Sequence, residues 1–145
     1  MLLTFMKPKF EGLIKENIKQ HTIRADKSSR WKVGNSIQFW NGNPRNVHAK
    51  NKPYQFGTGV CSRIEKIEFH WWKPEHKELY PNPFDDVENE RYCDVYLNNE
   101  VLNTEMVEAL AINDGFENSI EFFKFFNDSF VGKLIFWKDC IWHNQ

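Results

Sequence analysis

The chain has 145 residues, of which 16% are aromatic and 41% hydrophobic, and its formal net charge is −1. This length and composition are typical of one ordered domain with a ring-rich core, and they exclude a long disordered chain. No apolar run is long enough to cross a bilayer, and the first residues lack the pattern of a secretory signal. Cys61, Cys93 and Cys140 are widely spaced and odd in number, which argues against a disulfide framework and favours the reducing cytoplasm.

The small net charge combines two halves of opposite sign. Residues 1–77 hold 15 Lys and Arg and 6 Asp and Glu, a balance of +9, whereas residues 78–145 hold 4 and 14, a balance of −10. A basic half of this kind is typical of a protein that binds a polyanion. The alternative is that the two halves interleave in space and neutralise each other.

The first part of the chain predicts a strand, a helix and a second strand. Residues 2–6 form a short apolar run, and Pro8 suits the first turn of a helix. Apolar residues then recur at helical spacing: Phe10, Leu13, Ile14 and Ile18. Asn17 lies at the end of this pattern, and asparagine accepts the left-handed conformation that ends a helix. The β-branched pair Thr22 and Ile23 predicts a strand directly after this corner.

The middle of the chain alternates strands with long polar segments. Residues 36–40 and 91–97 show the composition and alternation of strands. Residues 59–72 predict a long strand whose apolar positions change parity, which we explain by a β-bulge near Glu65–Lys66. The segments at about 43–57 and 73–90 are polar and rich in turn-forming residues, and we expect both to be loops.

Two short helices and a strand complete the pattern. The first helix is expected from an N-cap at about Thr104 to a stop at Gly115, and the second from an N-cap at Asn118. Residues 132–142 are expected to form the last strand. These elements do not alternate as in a doubly wound sheet. The sequence therefore predicts a single α+β domain over residues 1–145, a small and mostly antiparallel β-barrel with about three short helices.

One stretch of the chain points to a family. Residues 17–24 read NIKQHTIR, and a charged loop and the segment RWKVGNSIQFW follow. With Asn17 in place of Gly, this is the Gly-x-Lys-x-x-Thr-x-Arg pattern of the ASCH domains of the PUA-like superfamily, which the chain resembles. The segments ALAINDGFENSIEFFKFF and GKLIFWK are similar to the family's paired helices and closing strand. The resemblance covers most of the chain, and the two long loops look like additions to it.

The resemblance implies a PUA-like barrel with a groove beside this corner, and a ligand that is RNA, a nucleotide or a modified nucleoside. Some small bacterial members are acetylcytidine amidohydrolases, for which a Lys, a Thr and a Glu are the proposed catalytic set. Carried across, these residues are Lys19, Thr22 and Asp114, of which the last is one methylene shorter than Glu. The hypotheses are therefore a binding domain, a small amidohydrolase of an acylated pyrimidine nucleoside, or a protein-interaction domain without catalysis.

The side chains of the corner carry suitable chemistry of their own. A desolvated Lys19 would have a lowered pKa and could act as a base, with Asp114 orienting it or exchanging a proton. Arg24 is a permanent planar cation suited to a phosphate, a carboxylate or a developing oxyanion. The alternative is that both cations are solvated, or form a structural ion pair with Asp114. The site hypothesis predicts that residues 19, 22, 24 and 114 line one solvent-accessible cavity.

Three further side chains are candidates for the site or for the core. Trp31 and Trp40 flank the turn at Gly34, where they could bind a ligand by stacking on a base or could pack inside the domain. His21 is expected on the face opposite Thr22, as a packed or exposed side chain and not as a base. The five His and three Cys residues show no metal-ligand spacing and no cofactor motif occurs, so we expect neither a metal nor a cofactor.

Overall fold

The computed structural model describes residues 1–46, 48–72, 85–86 and 91–143, with side chains left out of account at 85, 86 and 91. This part of the chain forms eight strands and three helices. In chain order they are β1 (Leu2–Phe5), α1 (Lys9–Lys15), β2 (His21–Arg24), β3 (Ser36–Asn41), β4 (Tyr54–Trp72), β5 (Asp85–Asp86), β6 (Arg91–Leu97), β7 (Glu100–Val101), α2 (Thr104–Asn113), α3 (Ser119–Phe125) and β8 (Phe130–Trp142). The predicted α+β class is confirmed.

The strands form one sheet around β4, which is 19 residues long. One edge of β4 pairs with β8, and the other edge pairs first with β3 and then with β6. Strand β2 adds to the far edge of β8, and β1 lies parallel to β3. Every other strand pair in the described residues is antiparallel, so the prediction of a mostly antiparallel sheet is also confirmed.

The sheet is not closed into the barrel that the sequence predicted. Within the described ranges, no backbone pairing joins the edge strands β1 and β2, each of which has four residues. A side chain bridges them instead, because Arg24 Nη2 donates to the carbonyl oxygen of Thr4 at 2.7 Å. The gap between these two edges leaves room for the cavity described below.

The predicted bulge in β4 exists, but its expected position was wrong. Glu65 and Lys66 pair regularly with β8, whereas the register shifts between Cys61 and Arg63 and again between Thr58 and Val60. The first shift leaves one extra residue, Ser62, in β4. The prediction took Val60, Ser62 and Ile64 as the inward-facing positions, but these residues are only half-buried, whereas Gly59 and Cys61 are buried. The apolar parity before the bulge therefore did not mark the core face.

Aromatic rings hold the layers together. Phe5, Phe39 and Phe56 pack with centroids 5.9 to 6.4 Å apart beneath β1, β3 and β4. Phe69 of β4 stacks on Phe126, which follows α3, with a centroid separation of 4.8 Å. These contacts hold the end of α3 against the sheet.

The helix boundaries agree with the predictions except at one cap. Asn103 and not Thr104 is the N-cap of α2, since its side chain accepts a hydrogen bond from Met106 N. Asn118 is the N-cap of α3, as predicted, and accepts from Glu121 N.

The two expected loops have different outcomes. Strand β4 already begins at Tyr54, so the first polar segment ends earlier than expected. Most of the second segment, 73–90, lies outside the described residues, and within it Asp85–Asp86 forms β5.

Cys61, Cys93 and Cys140 form no disulfide with one another. No helix in the described part of the chain has the length and apolar character needed to cross a membrane.

Candidate functional site

Two helix ends of the same type build the site. At the end of α1, Asn17 has a φ of +61°, and the N–H groups of Asn17 and Ile18 donate to Ile14 O and Leu13 O. At the end of α2, Gly115 has a φ of +95°, with the equivalent bonds from Gly115 and Phe116. Both arrangements are Schellman caps, which require a left-handed residue after the helix. The predictions for Asn17 and Gly115 are confirmed.

The two caps are joined to each other. The Gln20 N–H donates to the carbonyl oxygen of Asn113 at 2.8 Å, so the chain leaving α1 pairs with the end of α2. A Cβ at position 115 would lie 3.0 Å from Lys19 Cδ and 3.0 Å from Phe10 Cε1. Gly115 is therefore required both for its positive φ and because the Lys19 stem packs directly on it.

Lys19 and Asp114 form a buried ion pair at this junction. Each residue is 2% exposed, and Lys19 Nζ donates to the Asp114 backbone oxygen at 2.5 Å and to Oδ1 at 3.2 Å. The ammonium also lies 4.6 Å from the centroid of the Phe10 ring. Burial lowers the pKa of Lys19 below its ordinary value of 10.5, and the charge and hydrogen bond of Asp114 oppose part of this shift. Lys19 therefore loses its proton more readily than an exposed lysine does.

His21 is a second partner of the same carboxylate. Its Nδ1 lies 3.0 Å from Asp114 Oδ1, and its ring contacts Phe136 edge to face at 5.0 Å. The side chain is 3% exposed, so of the two predicted alternatives, packed or exposed, the packed one applies. Its bond to Asp114 was not foreseen. The signal for this bond is a buried histidine next to a buried acid. The sequence does not show it, because the two residues are 93 positions apart.

Arg24 is the cation without a carboxylate partner. Apart from the bond to Thr4 O, its guanidinium lies 5.1 Å from the centroid of the Phe5 ring, and its buried Nε has no hydrogen-bond partner. Among the described residues, no Asp or Glu oxygen lies within 4.0 Å of it. Burial lowers the pKa of Arg24, and the charge of Asp114 opposes this. A buried donor without a partner is costly, and this Nε is too deeply buried for a ligand to reach it. Nη1 makes no hydrogen bond within the described residues and is not among the fully buried atoms, so it is the nitrogen that a ligand can reach.

Thr22 is 5% exposed, and its hydroxyl makes no hydrogen bond within the described residues. The oxygen is not among the fully buried unpartnered atoms, so it keeps some access to the space around it. Thr22 therefore offers a free donor and acceptor.

These four residues line one cavity with a volume of about 100 Å³, which lies in the gap between β1 and β2. The spatial prediction for residues 19, 22, 24 and 114 is confirmed. The lining residues are Thr4, Phe5, Met6, Lys7, Phe10, Lys19, Thr22, Ile23, Arg24, Asp114, Phe116, Phe125 and Phe126. Apart from residues 19, 22, 24 and 114, five of the nine lining residues are phenylalanines.

The mouth of the cavity carries exposed aromatic and basic groups. Met6 is 70% exposed and Phe125 53% exposed, and both belong to the lining. The Lys7 ammonium lies 5.2 Å from the centroid of Phe125 and 5.5 Å from that of Phe116. A cation held over rings at an opening can meet an anionic group of a ligand whose aromatic part stacks on Phe125.

The two predicted stacking residues are not part of this cavity. Trp31 is 8% exposed and belongs to the core, so the packing alternative applies to it. Trp40 is half-buried on β3, and its Nε1 donates to Gln38 Oε1 at 3.2 Å. The rings that do line the cavity come from β1, α1, the turn after α2 and the end of α3, and composition alone could not distinguish them from core phenylalanines.

The arrangement can hold a small polar group by hydrogen bonds from Arg24 and Thr22 beside a buried amine. It offers no metal site, because no group of three His, Cys, Asp or Glu side chains in the described ranges could hold a metal ion. Comparisons with protein-family profiles, with characterised proteins and with solved structures give no significant match. The functional proposal therefore depends on the geometry of the site and on the motif that forms it.

Proposed function

We propose that this chain is an ASCH-type, PUA-like domain whose cavity binds a modified nucleoside or a nucleotide, free or within RNA. The observation that carries the proposal is Arg24, a partly buried cation with no carboxylate partner among the described residues, in a cavity that also holds the buried Lys19. Such a group stabilises a ligand through charge-assisted hydrogen bonds to a carbonyl or anionic oxygen. The Lys-x-x-Thr-x-Arg motif that the ASCH resemblance rests on supplies three of the polar lining residues.

The cavity volume limits how much of the ligand can enter. About 100 Å³ is available, whereas pockets for whole drug-sized ligands measure about 300–1,000 Å³ and one water takes about 30 Å³ of liquid volume. A single group therefore enters, such as an acetamido substituent or one edge of a pyrimidine ring. The sugar and any phosphate stay at the mouth, near Lys7 and Phe125.

Equilibrium binding with a panel of nucleosides tests the proposal. Acetylcytidine, cytidine and cytidine monophosphate would be titrated by calorimetry into the wild-type protein, Arg24→Met and the control Arg30→Met, which removes an exposed arginine. At least one ligand should bind saturably to the wild-type protein. Its affinity should fall by about tenfold or more in Arg24→Met and stay unchanged in Arg30→Met. Equal affinity of the folded Arg24→Met protein would reject the cavity as the binding site.

A second candidate function, hydrolysis of an acylated pyrimidine nucleoside, is favoured by the free Thr22 hydroxyl beside an amine of lowered pKa. In this scheme neutral Lys19 takes a proton from water, the hydroxide adds to the acyl carbon, and Arg24 stabilises the oxyanion. The C–N bond then breaks and the leaving nitrogen takes the proton from Lys19. No hydrogen bond joins Lys19 and Thr22, so Thr22 is assigned to holding the water or the substrate.

Turnover separates the two candidates. Cytidine release from acetylcytidine would be followed with the wild-type protein, Thr22→Val and Thr22→Ser. The hydrolase predicts a rate that falls about a hundredfold or more in Thr22→Val and is largely kept in Thr22→Ser. No release above the Thr22→Val level would reject hydrolysis of this substrate and leave the binding proposal standing. The presence of a cavity that holds Lys19, Thr22 and Arg24 argues against the third hypothesis, a protein-interaction domain without a ligand.

A further inference from the structure

A second recess lies on the other side of the corner, and we name it the reverse groove. It has a volume of about 440 Å³, within the usual range of ligand sites. Its lining residues are Asn17, Gln20, Ser62, Arg63, Phe136 and Trp137. None of them lines the cavity of Lys19 and Arg24. The two recesses are separated by β2, because Thr22 lines the cavity whereas His21 packs against Phe136.

The groove exists because of two irregularities in the sheet. Strand β2 begins at His21, which pairs with Phe136, so the edge of β8 from Trp137 onward has no partner strand in the described part of the chain. The bulge at Ser62 also falls at this point, because Cys61 pairs with Trp137 and Arg63 pairs with Phe136. Bulges commonly direct side chains into functional sites in this way.

The groove presents a planar cation on an aromatic floor. The Arg63 guanidinium carbon lies 3.8 Å from the centroid of Phe136, so the face of the guanidinium is covered and its N–H edges are available. The Arg63 side chain is 59% exposed, and its contact with Glu65 is a long one, 3.8 Å. An exposed pair of this kind contributes little and is easily replaced by a ligand anion.

The remaining polar groups of the groove are mostly unused donors. Neither the Ser62 hydroxyl nor the Trp137 indole N–H makes a hydrogen bond to another described residue. The Gln20 amide makes only one weak bond, 3.4 Å to Asn17 O. No acidic residue belongs to the lining. This set of rings and donors is complementary to an aromatic ligand that carries negative charge.

We propose that the reverse groove is a second binding site and that it takes a nucleotide, with the base against Trp137 and the phosphate on Arg63 and Ser62. An extended peptide added to the free edge of β8 is the competing occupant. It is disfavoured because Asp139, with a φ of +53°, interrupts that edge. The proposal concerns different residues from the cavity and does not depend on the function proposed there.

Nuclear magnetic resonance of the indole N–H groups tests the proposal. Adenosine monophosphate, adenosine and inorganic phosphate would each be titrated into the protein, with the Trp137 signal assigned from Trp137→Phe. The Trp137 signal should shift saturably with adenosine monophosphate. Adenosine and phosphate should each bind at least about tenfold more weakly than adenosine monophosphate. Arg63→Ala should lose about tenfold in affinity, whereas Arg30→Ala, which also removes an exposed arginine, should lose none.

Four outcomes would overturn the proposal: no saturable shift, equal affinity in Arg63→Ala, adenosine binding as tightly as its monophosphate, or a Trp137 shift that Arg24→Met abolishes. The last result would show that the nucleotide binds in the cavity alone. Loss of cavity binding in Arg24→Met with an unchanged Trp137 shift is the expected result when both sites exist. The failure of either proposal is thereby distinguishable from failure of the other.

Discussion

At the scale of single residues, the site holds the basic side chains Lys19 and Arg24, but only one carboxylate among its lining residues. Lys19, His21 and Arg24 surround one carboxylate, Asp114, which bonds directly to the first two. Arg24 is left with a backbone carbonyl and an unpartnered Nε. The sequence predicted that Lys19, Arg24 and Asp114 lie together, but it did not predict the contact of His21. The depth of burial follows from packing against Phe5 and Phe10, which no local pattern reveals.

The burial of Lys19 predicts a particular pH dependence of stability. Because its pKa is lowered from 10.5 in the folded protein, the unfolded chain binds more protons in the window between the lowered value and 10.5. Stability relative to Lys19→Met should therefore rise as the pH increases from neutral through this window. Urea unfolding of both proteins over this range measures the difference. A constant difference, as expected for the exposed-lysine control Lys32→Met, would show that Lys19 is not buried as a cation.

At the scale of elements, the site depends on two helix ends that meet. The sequence predicted both stops, at Asn17 and Gly115, because the left-handed position has a strong residue preference. It could not predict that the two ends pair through Gln20 and Asn113, since that contact joins distant parts of the chain. Local chemistry therefore predicts the corners, whereas tertiary packing decides their arrangement.

Substitution of Gly115 tests the importance of the second corner. Gly115→Ala places a Cβ at a φ of +95° and within 3.0 Å of Lys19 and Phe10. We expect a loss of about 1–3 kcal/mol in the free energy of unfolding. The control is Gly12→Ala inside α1, where a Cβ meets nothing within 4 Å. Helix propensity predicts that this control gains about 0.5–1 kcal/mol. Thermal unfolding that shows equal effects for the two variants would contradict the packing of Lys19 on Gly115.

The loop between β2 and β3 has its own anchor, Asp26. Its carboxylate accepts from Lys133 Nζ at 2.9 Å and from the N–H groups of Arg30 and Trp31 at 2.8 and 3.0 Å. Burial alone would raise the pKa of Asp26, but these bonds bring it below its ordinary value of 3.8. This pattern connects the loop to β8 and so holds Trp31 in the core.

Asp26→Asn should destabilise the protein by about 1–2 kcal/mol at neutral pH, because the ionised acceptor is lost. The contribution of Asp26 is present above pH 3.8 and is lost as the pH falls through the lowered pKa. The wild-type advantage should therefore disappear in strong acid, as denaturant unfolding at successive pH values would show. The control Asp128→Asn changes an exposed carboxylate. A wild-type advantage that persists unchanged in strong acid would contradict the role of Asp26.

At the scale of the whole molecule, the predicted α+β class is correct, whereas the sheet does not close into the predicted barrel. The sequence predicted six of the eight strands in the described residues, and β6 (Arg91–Leu97) has the predicted bounds. The two-residue strands β5 and β7 were not predicted. Whether β1 and β2 pair depends on the twist and bulges of β4, which periodicity does not encode. The open seam between them matters because the cavity lies there.

Amide NMR during titration with the tightest-binding nucleoside tests the central claim most directly, because it locates the ligand on the whole chain at once. The account predicts that the backbone signals of Lys19, Thr22, Arg24 and Gly115 shift together along one saturation curve. Signals of exposed residues on β7, such as Val101, should not move. Saturable binding whose shifts avoid the seam between β1 and β2 would contradict the account.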